Sequence, residues 1–229
     1  MTSSATSSSG SSSAEDAAVE SARYALLRRL APSIRHHLVV NLQPIGMVYE
    51  IMDRRLRAPQ PNLAEVQEGA HKIHGYARAA LASCIDVVTW LAPDEGAYTT
   101  AADAMRECLA LVATSFTFRG FAVRSEVGDV AGEISRPAFR NVVTGALVHL
   151  SDAHAAPAEI TLSAQARDPG LEVTLQLRPT AGEPGFATAP PYRPLTAADL
   201  DALARADAVQ VQREASAIRL TFPWVVRGA

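Results

Sequence analysis

Two stretches with the same apolar stride, separated by a proline-broken loop, limit this chain more than any other feature. In the first, an apolar residue recurs at Leu27, Ala31, Ile34, Leu38, Ile45, Val48 and Met52, with only Asn41 polar in the run. In the second the positions are Val66, Ala70, Ile73, Ala77, Ala80, Cys84, Val87 and Leu91. Steps of four and three put one apolar face on each of two helices. The break between them, Ala58-Pro59-Gln60-Pro61-Asn62, is a strong loop signal, so the pattern predicts an antiparallel helical hairpin. A lone hairpin cannot bury two such stripes well. Two hairpins can, as a four-helix bundle, and a homodimer is therefore expected. Pro32 is read as the first residue of a fresh helix and Pro44 as the site of a kink, since each removes a backbone donor.

The helix phase then separates the histidines. His36 lies two steps, about 200°, from Leu38 and points away from the buried stripe, whereas His37 flanks it. Counting back from the loop, the partner level of His36 falls near residues 80–86. The residues there, Ala79-Ala80-Leu81-Ala82-Ser83-Cys84, are mostly small, which suits either an incoming partner helix or tight helix packing. His71 and His74 sit three apart on the second helix, a spacing that can hold a metal, but that register puts them about 15 Å from His36 at 1.5 Å per residue. They are read as surface residues. Arg28 and Arg29 are read as solvent-facing.

Charge and composition narrow the function. A formal net charge of −3 argues against a nucleic-acid binder that relies on phosphate neutralisation. No stretch approaches a membrane span and none reads as a signal peptide, so a cytoplasmic protein is expected. Cys84 and Cys108 read as reduced packing residues. Residues 1–20 are Ser- and Ala-rich and read as a disordered tail, followed by the hairpin over 21–95 and a second domain over 96–229.

The second domain mixes helices with alternating strands. Helices are expected over 101–118, 136–153 and 196–206. Strands are expected over 121–127, around Ile160, Leu162 and Ala164, around Leu171, Val173, Leu175 and Leu177, and over 209–213 and 218–222. The Pro-, Gly- and Ala-rich stretch 179–195 reads as a loop. The fold class is α+β: a helical hairpin, then an α/β sandwich with helices on one face of the sheet.

This order of elements, with Arg35-His36-His37-Leu38 on the first helix, resembles the core of a bacterial sensor histidine kinase. In that family the histidine motif commonly reads His, then Asp or Glu, then Leu. Here the histidine and leucine match and His37 replaces the acid. Leu147-Val148-His149-Leu150-Ser151-Asp152-Ala153 sits where the family carries Asn-Leu-x-x-Asn-Ala, and Asp152 takes the place of the metal-binding asparagine. The family's Asp-x-Gly-x-Gly motif is absent after residue 177, where the chain runs Arg178-Pro179-Thr180-Ala181-Gly182-Glu183-Pro184-Gly185. The later Gly-x-Gly is also absent. The resemblance is then to the dimeric histidine phosphotransferases of bacterial phosphorelays, in which the ATP-binding domain is degenerate.

That resemblance implies a phosphoacceptor, His36, with Arg35 and His37 flanking it, and phosphoryl exchange with the aspartates of response-regulator receiver domains. It implies no stably bound cofactor, Mg²⁺ being supplied by the partner receiver, and no ATP-dependent kinase activity. Asp152 is left as a vestigial metal position. A hybrid histidine kinase is a further partner it admits. An ordinary imidazole is mostly neutral at pH 7 and offers the nucleophilic nitrogen. Arg35 steers phosphate or is simply a solvated arginine. With His37 in place of the acid, autophosphorylation is not expected. Two other readings stand beside this one: an adaptor that binds a receiver or a kinase without chemistry, and a divergent kinase that still uses ATP.

Overall fold

The computed structural model describes residues 8–183, 185–186 and 192–225, with the side chains of the helix described from residue 13 onward. It divides into two compact units: residues 32–94, and residues 1–31 together with 95–229.

Residues 32–94 are the helical hairpin. Its first arm is the later part of α1 (Ser8–Leu56) and its second is α2 (Leu63–Leu91). Asn62 caps α2, its side-chain oxygen accepting from the amides of Ala64 and Glu65, so the loop signal ends on a proper helix start. From Ile34 onward the α1 stripe lies where its spacing puts it, with Ile34, Leu38, Ile45, Val48 and Met52 all half-buried, whereas Ala31, expected in the same stripe, is exposed. Asn41, the polar member, donates to Ser83 Oγ across the hairpin at 3.1 Å and to the His37 carbonyl at 3.0 Å. Buried Gly69 lies so close to Met52 that a Cβ there would overlap its side chain. Arg55 pairs with Glu65 at 3.0 Å near the loop.

On α2 the buried stripe differs from the expected one. Val66, Gly69, Ile73, Tyr76, Ala80, Ser83, Val87 and Trp90 are buried or half-buried, while Ala70, Ala77, Cys84 and Leu91 are exposed. Alanine occurs on both sides of α2 and its leucines, Leu63, Leu81 and Leu91, are all exposed, so apolar character alone does not mark the side that faces α1. Cys84, read as a packing residue, is exposed.

The second unit opens on the first part of α1. The tail expected over 1–20 is replaced by helix from Ser8, and residues 1–7 lie outside the described residues. Pro32 and Pro44 both lie inside one assigned helix, so Pro32 does not start a new one. Ala22, Ala25, Leu26 and Leu30 are at most 2% exposed, which fixes this stretch in the core of its unit.

A five-stranded sheet forms the rest, in the order β2-β4-β5-β7-β6. The strands are β2 (Phe121–Ser125), β4 (Ala158–Arg167), β5 (Gly170–Pro179), β6 (Gln210–Arg213) and β7 (Ala217–Pro223), and β2 alone pairs in parallel. A separate two-stranded pairing joins β1 (Tyr98–Thr99) to β3 (Ile134–Ser135). Alternation is plain in the strands. Ile160, Leu162, Leu171, Val173, Leu175, Leu220 and Phe222 are buried, while Thr161, Ser163, Thr174, Gln176 and Thr221 on the other face keep partial contact with solvent. Helices α3 (Ala101–Phe118), α4 (Arg136–Ala153) and α5 (Ala197–Ala206) form the helical layer. Thr100, Ser135 and Thr196 cap them, and Thr196 with Asp199 makes a complete capping box. α4 is the central helix, buried from Pro137 to Ser151 at all but a few positions, and Phe139 meets Phe222 of β7 with ring centroids 5.0 Å apart. The fold is the expected mixture of hairpin and helix-covered sheet.

Candidate functional site

In the hairpin unit, His36 and Arg35 are placed on α1 by the phase of its stripe: His36 is exposed, and His37 and Arg35 stand on either side of it. The His36 and His37 rings are 6.3 Å apart at 51°, too far and too tilted to share a proton directly. The contact of Asn41 with Ser83, together with that of Arg55 with Glu65, puts the level of His36 slightly beyond Asp86 on α2. Exposed Val39, Val40, Leu42 and Met47 follow His36 along α1, and exposed Leu81, Ile85 and Val88 lie on α2. The imidazole thus sits on a rigid helix, open to solvent, in a unit rich in uncovered apolar surface. His71 and His74 are also exposed. No group of three or more His, Cys, Asp or Glu side chains able to hold a metal occurs among the described residues.

The α/β unit has a second, different centre. Asp152 lies at the end of α4 with its side chain 3% exposed, and three segments converge on its carboxylate. Arg29 of α1 donates from one terminal nitrogen to Oδ2 at 2.5 Å and from the other to Oδ1 at 2.6 Å. Arg119, just past α3, donates to Oδ1 at 2.9 Å and also to the Ser151 hydroxyl and carbonyl, each at 2.8 Å. The Leu195 amide donates to Oδ2 at 2.9 Å. The Arg119 guanidinium also lies over the rings of Phe121 and Phe116, at 5.4 and 6.0 Å. Burial holds Arg119 below its ordinary pKa, with Asp152 opposing that shift and Arg29 adding to it.

The stretch before α5 is fastened to the same place. Arg29 donates to the Arg193 carbonyl at 3.4 Å, His149 Nδ1 meets the Leu195 carbonyl at 2.7 Å, and Tyr192 packs edge-on against Tyr24 at 5.9 Å, with Arg28 5.5 Å from its ring centre. Arg193 pairs with Asp199, holding that carboxyl down at about 2, and Thr196 helps while burial opposes. Of the loop expected over 179–195, residues 184 and 187–191 lie outside the described residues, and residues 192–195 are tied down by these contacts.

Two expectations change here. Arg29, read as solvent-facing, is buried and paired. Asp152, the vestigial metal position, does not fit a divalent ion. Mg²⁺ needs a near-octahedral shell of oxygens, whereas both Asp152 oxygens already accept N–H donors and two guanidinium cations stand on the carboxylate. Sequence reasoning missed Arg29 and Arg119. The available signal was Arg29's position three and four residues after Leu26 and Ala25, which places it on the buried face.

No family model matches the chain, and no curated protein does. Among solved structures it is similar to a histidine kinase from Burkholderia phymatum STM815 (14% identity, 87% of this chain and 97% of that one, TM-score 0.43). It is similar also to a structure described as a bacterial phosphotransferase (13% identity, 86% and 95%, TM-score 0.39). The catalytic domain of the histidine kinase ThkA matches over 56% of this chain and 95% of that one, at 12% identity and a TM-score of 0.42. At such values these similarities assign no activity.

Proposed function

We propose that this chain is a histidine phosphotransferase that exchanges phosphoryl groups between His36 and aspartates of receiver domains. The observation that carries the reading is His36 itself, an exposed imidazole opposite the buried stripe of α1, with Arg35 next to it. A neutral ring nitrogen attacks the phosphorus of an aspartyl phosphate. The N–P bond forms, the acyl P–O bond breaks, the aspartate leaves as carboxylate, and the imidazole N–H proton passes to solvent. The transition state is loose, so positioning and charge neutralisation do most of the work. Arg35 supplies positive charge at the ring, and the partner brings Mg²⁺. His37 flanks the site.

The occupied Asp152 carboxylate and the missing glycine motifs speak against an ATP-using kinase. The exposed apolar residues of the hairpin fit a second copy, giving a four-helix bundle. On that reading Ile85→Glu lowers the mass measured by light scattering from dimer to monomer, and an unchanged mass refutes the dimer. The uncovered surface also suits an adaptor that binds a receiver without chemistry.

The deciding experiment is phosphotransfer from a panel of pre-phosphorylated receivers, with ATP alone as a control and His36→Gln alongside. Label on the wild type, absent from the variant and absent with ATP, supports the carrier. Receiver binding with no label on either protein favours the adaptor. Label from ATP alone restores the kinase.

A further inference from the structure

We propose that Asp152 and residues 193–195 form a guanidinium-selective cation site in the α/β unit, and that Arg29 of α1 is the ligand that fills it in cis. The proposal goes beyond phosphotransfer and stands without it.

Three acceptors define the site. Asp152 Oδ2 and Oδ1 take the two terminal nitrogens of Arg29 at 2.5 and 2.6 Å, and the Arg193 carbonyl takes a weaker third contact at 3.4 Å. This is the end-on fork by which the two terminal nitrogens of a planar guanidinium match a carboxylate, a geometry that a compact ammonium or metal ion cannot reproduce. The Leu195 amide holds Oδ2 from another direction at 2.9 Å, and His149 holds the Leu195 carbonyl at 2.7 Å, so the carboxylate and its cover are preorganised. Arg119, on Oδ1 at 2.9 Å, sets the selectivity. A divalent ion on this carboxylate would face a fixed guanidinium, whereas a second flat monovalent cation shares the carboxylate with it. The Arg29 side chain is 4% exposed, as an enclosed ligand would be.

The site has a consequence for the chain. Arg29 ties α1 to residues 193–195 through Asp152 and the Arg193 carbonyl, beside the contacts of Tyr24 and Arg28 with Tyr192, so emptying the site loosens both segments, and refilling it with the free ion tightens them again.

The test uses the full chain with Arg29→Ala, followed by backbone hydrogen exchange in peptides covering residues 20–31 and 192–200. The variant is expected to exchange roughly tenfold faster than wild type in both peptides, by opening locally. Guanidinium chloride at sub-denaturing concentration should restore protection in the variant but not raise it in the wild type. Sodium chloride at equal ionic strength and magnesium chloride should not restore it. The proposal is overturned if the variant exchanges within about twofold of wild type, if guanidinium restores no more than sodium does, or if magnesium restores as well as guanidinium. Should Arg29→Ala fail to fold, Arg29→Lys keeps the charge and stem without the fork. Faster exchange at Leu195 is then expected, and wild-type exchange there overturns the proposal.

Discussion

Replacing Asp152 with Asn should destabilise the α/β unit by about 3–5 kcal/mol, the usual cost of leaving a buried charge unpaired. Two cations and one anion meet at this point, and the anion lies between them with its side chain 3% exposed. The substitution would leave two cations and no anion. It would also exchange one carboxylate oxygen for an amide nitrogen, turning a donor toward groups that are themselves donors. Arg119→Met acts in the opposite sense on the charge. It leaves Arg29 and Asp152 as a one-to-one pair and removes a partly desolvated cation, at the expense of hydrogen bonds to Ser151 and packing on Phe116 and Phe121. Its net cost should stay within about 1.5 kcal/mol, because removing the second, partly desolvated cation offsets most of the three hydrogen bonds lost to Ser151 and Asp152. Urea unfolding read by Trp224 fluorescence reports on this unit, because the Trp224 ring packs over Gly132 there. Trp90→Phe removes the other tryptophan signal. With a slope of about 2 kcal/mol per molar urea, the midpoint should fall by about 2 M for Asp152→Asn and by less than about 1 M for Arg119→Met. Equal losses in the two variants, or a larger loss for Arg119→Met, would refute the charge accounting.

Three further outcomes follow from individual side chains. Cys108 is fully enclosed and burial pushes its thiol up to about 12, so a thiol reagent at pH 9, above the ordinary thiol pKa of about 8.5, should leave it unlabelled until the chain is unfolded. Native labelling of Cys108, read by peptide mass, would contradict its burial. Asp199 is held at about 2 by Arg193 and Thr196, below its ordinary 3.8, so its contribution to stability is complete well above pH 3.8 and is lost as the pH falls through about 2. Arg193→Gln should return Asp199 toward the ordinary range and move acid unfolding, followed by circular dichroism, to higher pH; an unmoved midpoint would count against the pair. At Gly145 a Cβ would fall 2.9 Å from Leu203 Cδ1 where α4 packs on α5. Gly145→Val should therefore cost about 1–3 kcal/mol by overpacking and lower the melting temperature by several degrees, and an unchanged melting curve would show that Leu203 moves aside freely.

The long elements are readable because their burial is periodic. Ile34, Leu38, Ile45, Val48 and Met52 repeat at helical spacing, and Leu171, Val173, Leu175 and Leu177 at every second residue, so both helix and strand follow from position alone. β1 and β3 are two residues each, too short to carry any period, and the sequence reading contains neither. Residues 8–20 of α1 read as a tail because no apolar stride runs through their Ser- and Ala-rich sequence, and from residue 13 to 20 every side chain is exposed except half-buried Val19. His36 is legible because exposure on a helix is a matter of phase. The centre at Asp152 is not, since Arg29, Arg119, Asp152 and Leu195 come from four places in the chain and only tertiary packing brings them together.

β2 is joined to the sheet on one side only, and in parallel, with Phe121 opposite Ala158 across the whole of α4. The neighbouring β4 and β5 close on each other through two intervening residues, with Arg167 opposite Gly170. Loop-closure entropy therefore separates the two pairings in time: the β4–β5 hairpin can form from local contacts, whereas β2 must wait until α4 has folded back. The same asymmetry runs in reverse under mild destabilisation. The amides by which β2 is bound to β4 should be among the first in the sheet to exchange, while those of β5, paired on both edges, persist until the unit unfolds as a whole.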